Sequence, residues 1–151
     1  MASGNPAKAI VMGGMACGVL DITAALVVYG SMGLKPLRLL QGIAAGVLGP
    51  KSFQGGLGTA LLGLALHFVI AFGAAIVYFA ASRGMRILVE QAWLFGAFYG
   101  IAVYFFMSRI VVPLSSATKF SFSVKMMVIG VVIHIICVGL PIALSVRRFG
   151  N

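Results

Sequence analysis

The chain has 151 residues, of which 62 % are hydrophobic and 9 % charged, with a mean hydropathy of +1.14 and a formal net charge of +9. Soluble domains are about 25 % charged, so this composition excludes an ordinary soluble domain and describes an integral membrane protein. The basic excess does not point to nucleic acid, because the 11 Lys and Arg residues are scattered one or two at a time through tails and connections, as in membrane loops.

In chain order, the first apolar run covers 9–32. It follows Lys8 directly and continues past any cleavage point, so it reads as a retained span rather than a signal peptide. The stretch LKPLRLLQGIAAGVLGPKSFQGG comes next, with Pro36 where a helix starts and Gly49-Pro50 where it stops. The intervening 36–48 is too short to cross a bilayer. It places Leu37, Leu40, Ala44 and Val47 on one face and Arg38 and Gln41 on another. That is the pattern of an amphipathic helix lying at the interface or dipping partly inward. Residues 57–81, 92–114 and 126–146 supply three more runs of roughly 20 residues, each enough to span.

The short connection SRGMRILVEQ makes spans two and three antiparallel neighbours, with Glu90 at the start of span three, where an acid suits a helix N-terminus. SSATKFSFSVK alternates Phe120, Phe122 and Val124 with Lys and Ser, and is expected to rest its aromatics on the membrane surface. The chain is thus read as one all-α membrane domain over 1–151, with four transmembrane helices plus a short amphipathic helix, and both tails on one side. Lys8, Arg83, Arg86, Arg147 and Arg148 crowd the short tail-side segments. Lys35, Arg38, Lys51, Lys119 and Lys125 occupy the longer opposite ones, which favours cytoplasmic tails.

Only two residues are acidic, and one of them, Asp21, lies inside the run GVLDITAALVVYG. Gly14, Gly18, Asp21 and Ala25 form one helical stripe in the first span. Ala60, Gly63, His67, Ala71 and Ala74 repeat that arrangement in the second, and Gly130, His134, Cys137 and Pro141 in the fourth. Each polar residue rides the small-residue face, the one that packs inward in lipid. In the third span Gly96 and Gly100 form one stripe and Arg109 lies on another, facing a different neighbour such as a second protomer. Gly14-x-x-x-Gly18 and Gly96-x-x-x-Gly100 offer contact faces for a homo-oligomer. Pro141 reads as a mild kink.

Asp21, His67, His134 and Arg109 fall at comparable depth, in the half of the membrane away from the tails. A charged Asp at a helix centre costs on the order of 3 kcal/mol, tolerated where it is protonated, paired or facing a wet cavity. Three readings stay open. The cluster is a proton- or small-solute-responsive site of a transporter or channel. Alternatively it is structural, with Asp21 bonding a histidine or Thr23 in a membrane scaffold or accessory subunit. In the third reading His67 and His134 ligate a haem or, with Asp21, a divalent metal in a four-helix bundle. No cofactor is expected on the first two. No nucleophile elbow, HExxH, phosphate loop or CxxC is present, so no enzymatic activity is expected. Cys17 and Cys137 read as small hydrophobes.

Span two (ALHFVIAFGAAIVYFAAS), span three (LFGAFYGIAVYFFMSRIVVPL) and span four (IGVVIHIICVGLPIALSVRRF), with the glycine-rich first span, resemble the YagU-like group of small bacterial inner-membrane proteins. The resemblance covers the four spans. This chain lacks the longer inter-span region and charged tail of that group. The resemblance implies a bacterial inner membrane and a link to acid tolerance, and brings no catalytic or binding residues with it.

Overall fold

The computed structural model describes residues 4–117 and 123–150. Helix α1 (Pro6–Ser31) leads to α2 (Pro36–Leu48) and a 3-10 turn (Gly49–Gln54). Then come α3 (Gly56–Gly84), the single turn α4 (Ile87–Glu90), α5 (Ala92–Leu114) and α6 (Val124–Phe149). Helices α1, α3, α5 and α6 are the four long and apolar enough to cross a membrane. The shortest, α5, has 23 residues and reaches about 35 Å, more than the ~30 Å hydrocarbon core. This is the four-span all-α architecture expected from the apolar runs. Phe120 and Phe122, expected on the membrane surface, lie outside the described residues.

Local chemistry sets the helix starts. The Asn5 side chain accepts the Lys8 N–H at 2.9 Å, and Pro6 occupies the first position of α1. Ser123 caps α6 in the same way. The Asn5 N–H also donates to the Phe149 carbonyl at 2.7 Å, so α1 begins beside the end of α6 and both tails lie at one end of the bundle. Glu90 ends α4 rather than starting α5, and its carboxylate stands 3.8 Å from the Arg86 guanidinium on the surface.

Helix α2 has the expected bounds but uses a different face. Gln41 is only 1 % exposed, while Leu37 and Val47 are 42 % and 65 % exposed. The Gln41 side chain donates to the Gly56 carbonyl at 2.9 Å, and the Thr59 hydroxyl donates to the Ser52 carbonyl at 2.6 Å. The polar face therefore satisfies carbonyls where the chain turns into α3. Ala44, Ala45 and Leu39 close the same contact, and the apolar residues left outside suit lipid.

Between the spans, glycines decide the contacts. Phe72 and Phe68 of α3 fill the notches at Gly14 and Gly18 of α1. Gly63 lies against the α2 backbone at Leu40, and Gly130 against the ring of Tyr104. An equally close approach joins α5 to α6: a methyl on Gly139 would land on the Gly96 carbonyl and the Gly100 backbone. Both glycine motifs proposed for self-association are thus occupied within the chain. Around this seam Ala9, Cys17, Ala71, Ala75, Tyr78, Val138, Ile142 and Val146 form the core, all in the tail-side half. Tyr78 donates to the Leu88 carbonyl at 2.9 Å and Tyr99 to the Ala74 carbonyl at 2.7 Å, so both phenols enter apolar surroundings with their polar ends satisfied.

Two spans share a device. Helix α5 widens to a π-turn at Met107–Val111, and α6 at His134–Gly139. Each widened turn ends two residues before a proline, Pro113 or Pro141. Proline has no N–H and its ring crowds the carbonyl four residues back; a wider turn relieves that clash without a sharp kink.

The seam gives a test. Gly139→Ala forces a methyl into backbone that cannot rotate away, and is expected to cost about 1–3 kcal/mol. Gly73→Ala meets nothing within 4 Å and is expected to be neutral or to stabilise by up to ~1 kcal/mol. Thermal melts of both variants in detergent measure the difference; equal midpoints would contradict the packing described.

Candidate functional site

The polar residues singled out in the spans stand where the bundle loosens. From Asp21 to the end of α1 only Ile22 is buried, and the segments 107–114 and 124–133 contribute no buried residue. Asp21 itself is half-buried. Its carboxylate lies within electrostatic reach of the thiol of Cys17, one turn earlier, and of Cys137 on the widened turn of α6. Tyr29, two turns further along α1, is within the same reach. The cysteines, read from sequence as inert filler, are therefore neighbours of the one intramembrane acid.

His67 and His134 are held differently. His67 Nε2 lies 2.9 Å from the Gly18 carbonyl, linking α3 to α1 three residues before Asp21. A carbonyl only accepts, so the proton of neutral His67 sits on Nε2 and Nδ1 keeps its lone pair. Phe68 and Phe72 in the glycine notches bring α3 close enough for this bond. His134 turns its Nδ1 to the Gly130 carbonyl of its own helix at 2.9 Å, which leaves Nε2 with the lone pair. Its ring packs edge-on to Tyr104 at 5.3 Å between centroids. Gly130 does two things here: it leaves room for Tyr104 and supplies the carbonyl.

The structure thus brings His67 and Cys137 towards Asp21 and sets His134 against α5. Arg109 lies on the exposed side of the π-turn of α5. Among the described residues no ion pair or hydrogen bond joins Asp21 to His67, His134 or Arg109. Thr23, the other partner considered for Asp21, donates its hydroxyl to the Val19 carbonyl at 2.6 Å. Among the described residues no three His, Cys, Asp or Glu side chains converge on one point. A haem ligated by both histidines would have to use His67 Nδ1 or break the Gly18 bond. Sequence spacing gave no warning of the Gln41–Ser52–Thr59 contact, because it arises from packing between segments.

Compared with protein-family models, curated proteins and solved structures, the chain matches none.

The two histidines should respond unequally to truncation. Interhelical hydrogen bonds in membranes are worth about 0.6 kcal/mol on average and up to ~1.7. His67→Leu is expected to lose an amount in that range, and His134→Leu less, since its bond stays within one helix. Reversible unfolding in mixed micelles measures both; a larger loss at His134 would refute the assignment of His67 as the interhelical tie.

Proposed function

We propose that this small polytopic membrane protein senses or passes protons or a small solute, with Asp21 as the central residue of the site. One observation carries the reading: a half-buried carboxylate inside a span, in the loosely packed half, with no hydrogen bond or ion pair among the described residues. A carboxylate kept only to tie helices together would show the bond that repays its transfer from water. His67 orders the α1 backbone beside it and keeps the lone pair on Nδ1. His134 and Arg109 belong to the outer part of the same half, where they tune the field.

The resemblance to the YagU-like group supports a bacterial inner membrane and an acid-stress setting for this chemistry, with both tails cytoplasmic. Any homo-oligomer uses surfaces other than Gly14, Gly18, Gly96 and Gly100, which are filled within the chain.

A second reading, a membrane scaffold or accessory subunit, is favoured by the His67–Gly18 bond, which is an interhelical tie whatever Asp21 does. The readings separate at Asp21→Asn. On the proposed function the variant loses the pH dependence of proteoliposome flux. Its thermal stability is unchanged or raised, because an amide is cheaper to hold in lipid than a carboxylate. A lowered melting temperature with unaltered flux would leave the scaffold reading instead.

A further inference from the structure

On the tail side, away from Asp21, a cavity of about 370 Å³ opens between the end of α3 and α4, lined by Ser82, Arg83, Arg86, Val89 and Glu90. That volume is within the usual range for small-ligand sites. The Arg83 guanidinium lies 5.9 Å over the Phe79 ring and donates to the Gly150 carbonyl at 3.2 Å, so one arginine is fixed and keeps further N–H donors for a ligand. Arg86 is the adaptable one: its side chain is 92 % exposed and contacts Glu90 at 3.8 Å. Glu90 is the one acid outside the spans, whereas Lys8, Arg147 and Arg148 add positive charge to the same end of the bundle. α4 also borders a second depression of about 250 Å³, almost wholly apolar, lined by Leu88 with Tyr78, Met85, Phe95, Phe98 and Tyr99. Arg83 in the last turn of a span and Arg86 just beyond its end stand where lipid phosphates lie, and an aromatic groove beside α4 accepts hydrocarbon.

We infer that α4 is the seat of an anionic phospholipid, with its phosphate held by Arg83 and Arg86 in the polar cavity and an acyl chain along the aromatic groove. Guanidinium forks match phosphate oxygens in pairs, which a zwitterionic headgroup with its own cation satisfies less well. Glu90 opposes the phosphate and sets the affinity from below.

Native mass spectrometry of the detergent-purified protein tests this with phosphatidylglycerol, phosphatidylcholine and inorganic phosphate as separate probes. Phosphatidylglycerol is expected to be retained selectively, with about fivefold weaker retention for Arg86→Gln, the loss that one cation near the surface implies. Glu90→Gln is expected to strengthen retention by a similar factor. Equal retention of phosphatidylglycerol and phosphatidylcholine would overturn the proposal, as would a selectivity untouched by Arg86→Gln. Displacement of phosphatidylglycerol by inorganic phosphate would support recognition through the phosphate. Phosphate adducts without lipid preference would assign the cavity to a free anion and overturn the lipid. Because Arg83→Gln also removes the bond to Gly150, Arg86→Gln and Glu90→Gln carry the test and Arg83→Lys checks that charge suffices.

Discussion

The backbones of α5 and α6 touch at Gly96, Gly100 and Gly139, and the rest of the bundle is arranged around that contact. In lipid there is no hydrophobic drive to bring helices together, so association depends on how closely they can approach. Three glycines remove the side chains that would hold these backbones apart. Ala143, Ile142 and Val146 of α6 then meet Ala9, Cys17 and the α3 residues Ala71, Ala75 and Tyr78, which builds the main core towards the tail end, while α2 packs on α3 at the other. Phe68 and Phe72 lock α1 to α3 by the same principle, with rings entering glycine notches rather than backbones meeting.

Beyond Gly100 the small residues give way to Tyr104, Phe105 and Phe106, and α5 and α6 stay in touch through Tyr104 on Gly130. Both helices also widen into π-turns there, ahead of Pro113 and Pro141. Tight packing of α5 on α6 at the tail end and looser packing beyond Gly100 are therefore two results of one distribution of small and large side chains. Asp21 sits at the changeover. His67 reaches across to Gly18 at the same level, so the last firm interhelical tie and the first unbonded polar group are three residues apart on α1.

Much of this was legible in the sequence, for physical reasons that differ by residue. The spans follow from length and hydropathy, which depend on no partner; their bounds moved by only a few residues once Asn5 and Ser123 acted as caps. The inward faces of α1 and α3 were legible because Gly14, Gly18 and Gly63 repeat at helical spacing. The use of α2 was not: Gln41 looks like a solvated residue until the carbonyl of Gly56 and the hydroxyl of Thr59 come beside it, and both belong to a later helix. Arg109 and Asp21 share depth in the sequence, yet depth alone does not fix azimuth, and the π-turn of α5 rotates everything beyond Met107. Cys17 and Cys137 become neighbours of Asp21 only when α6 packs on α1.

The proposed function requires that water reach Asp21 in the loosened part of α1 but not the tail-side core. Cysteine accessibility tests it most directly, in protein in which Cys17 and Cys137 are replaced by Ala. Asp21→Cys, in the loosened half, is compared with Ala75→Cys, at a position 0 % exposed in the core. A membrane-impermeant thiol reagent should modify the first in intact proteoliposomes and leave the second unmodified. Equal protection of both positions would contradict the account, because Asp21 would then be sealed in lipid or protein with no route for a proton to reach it.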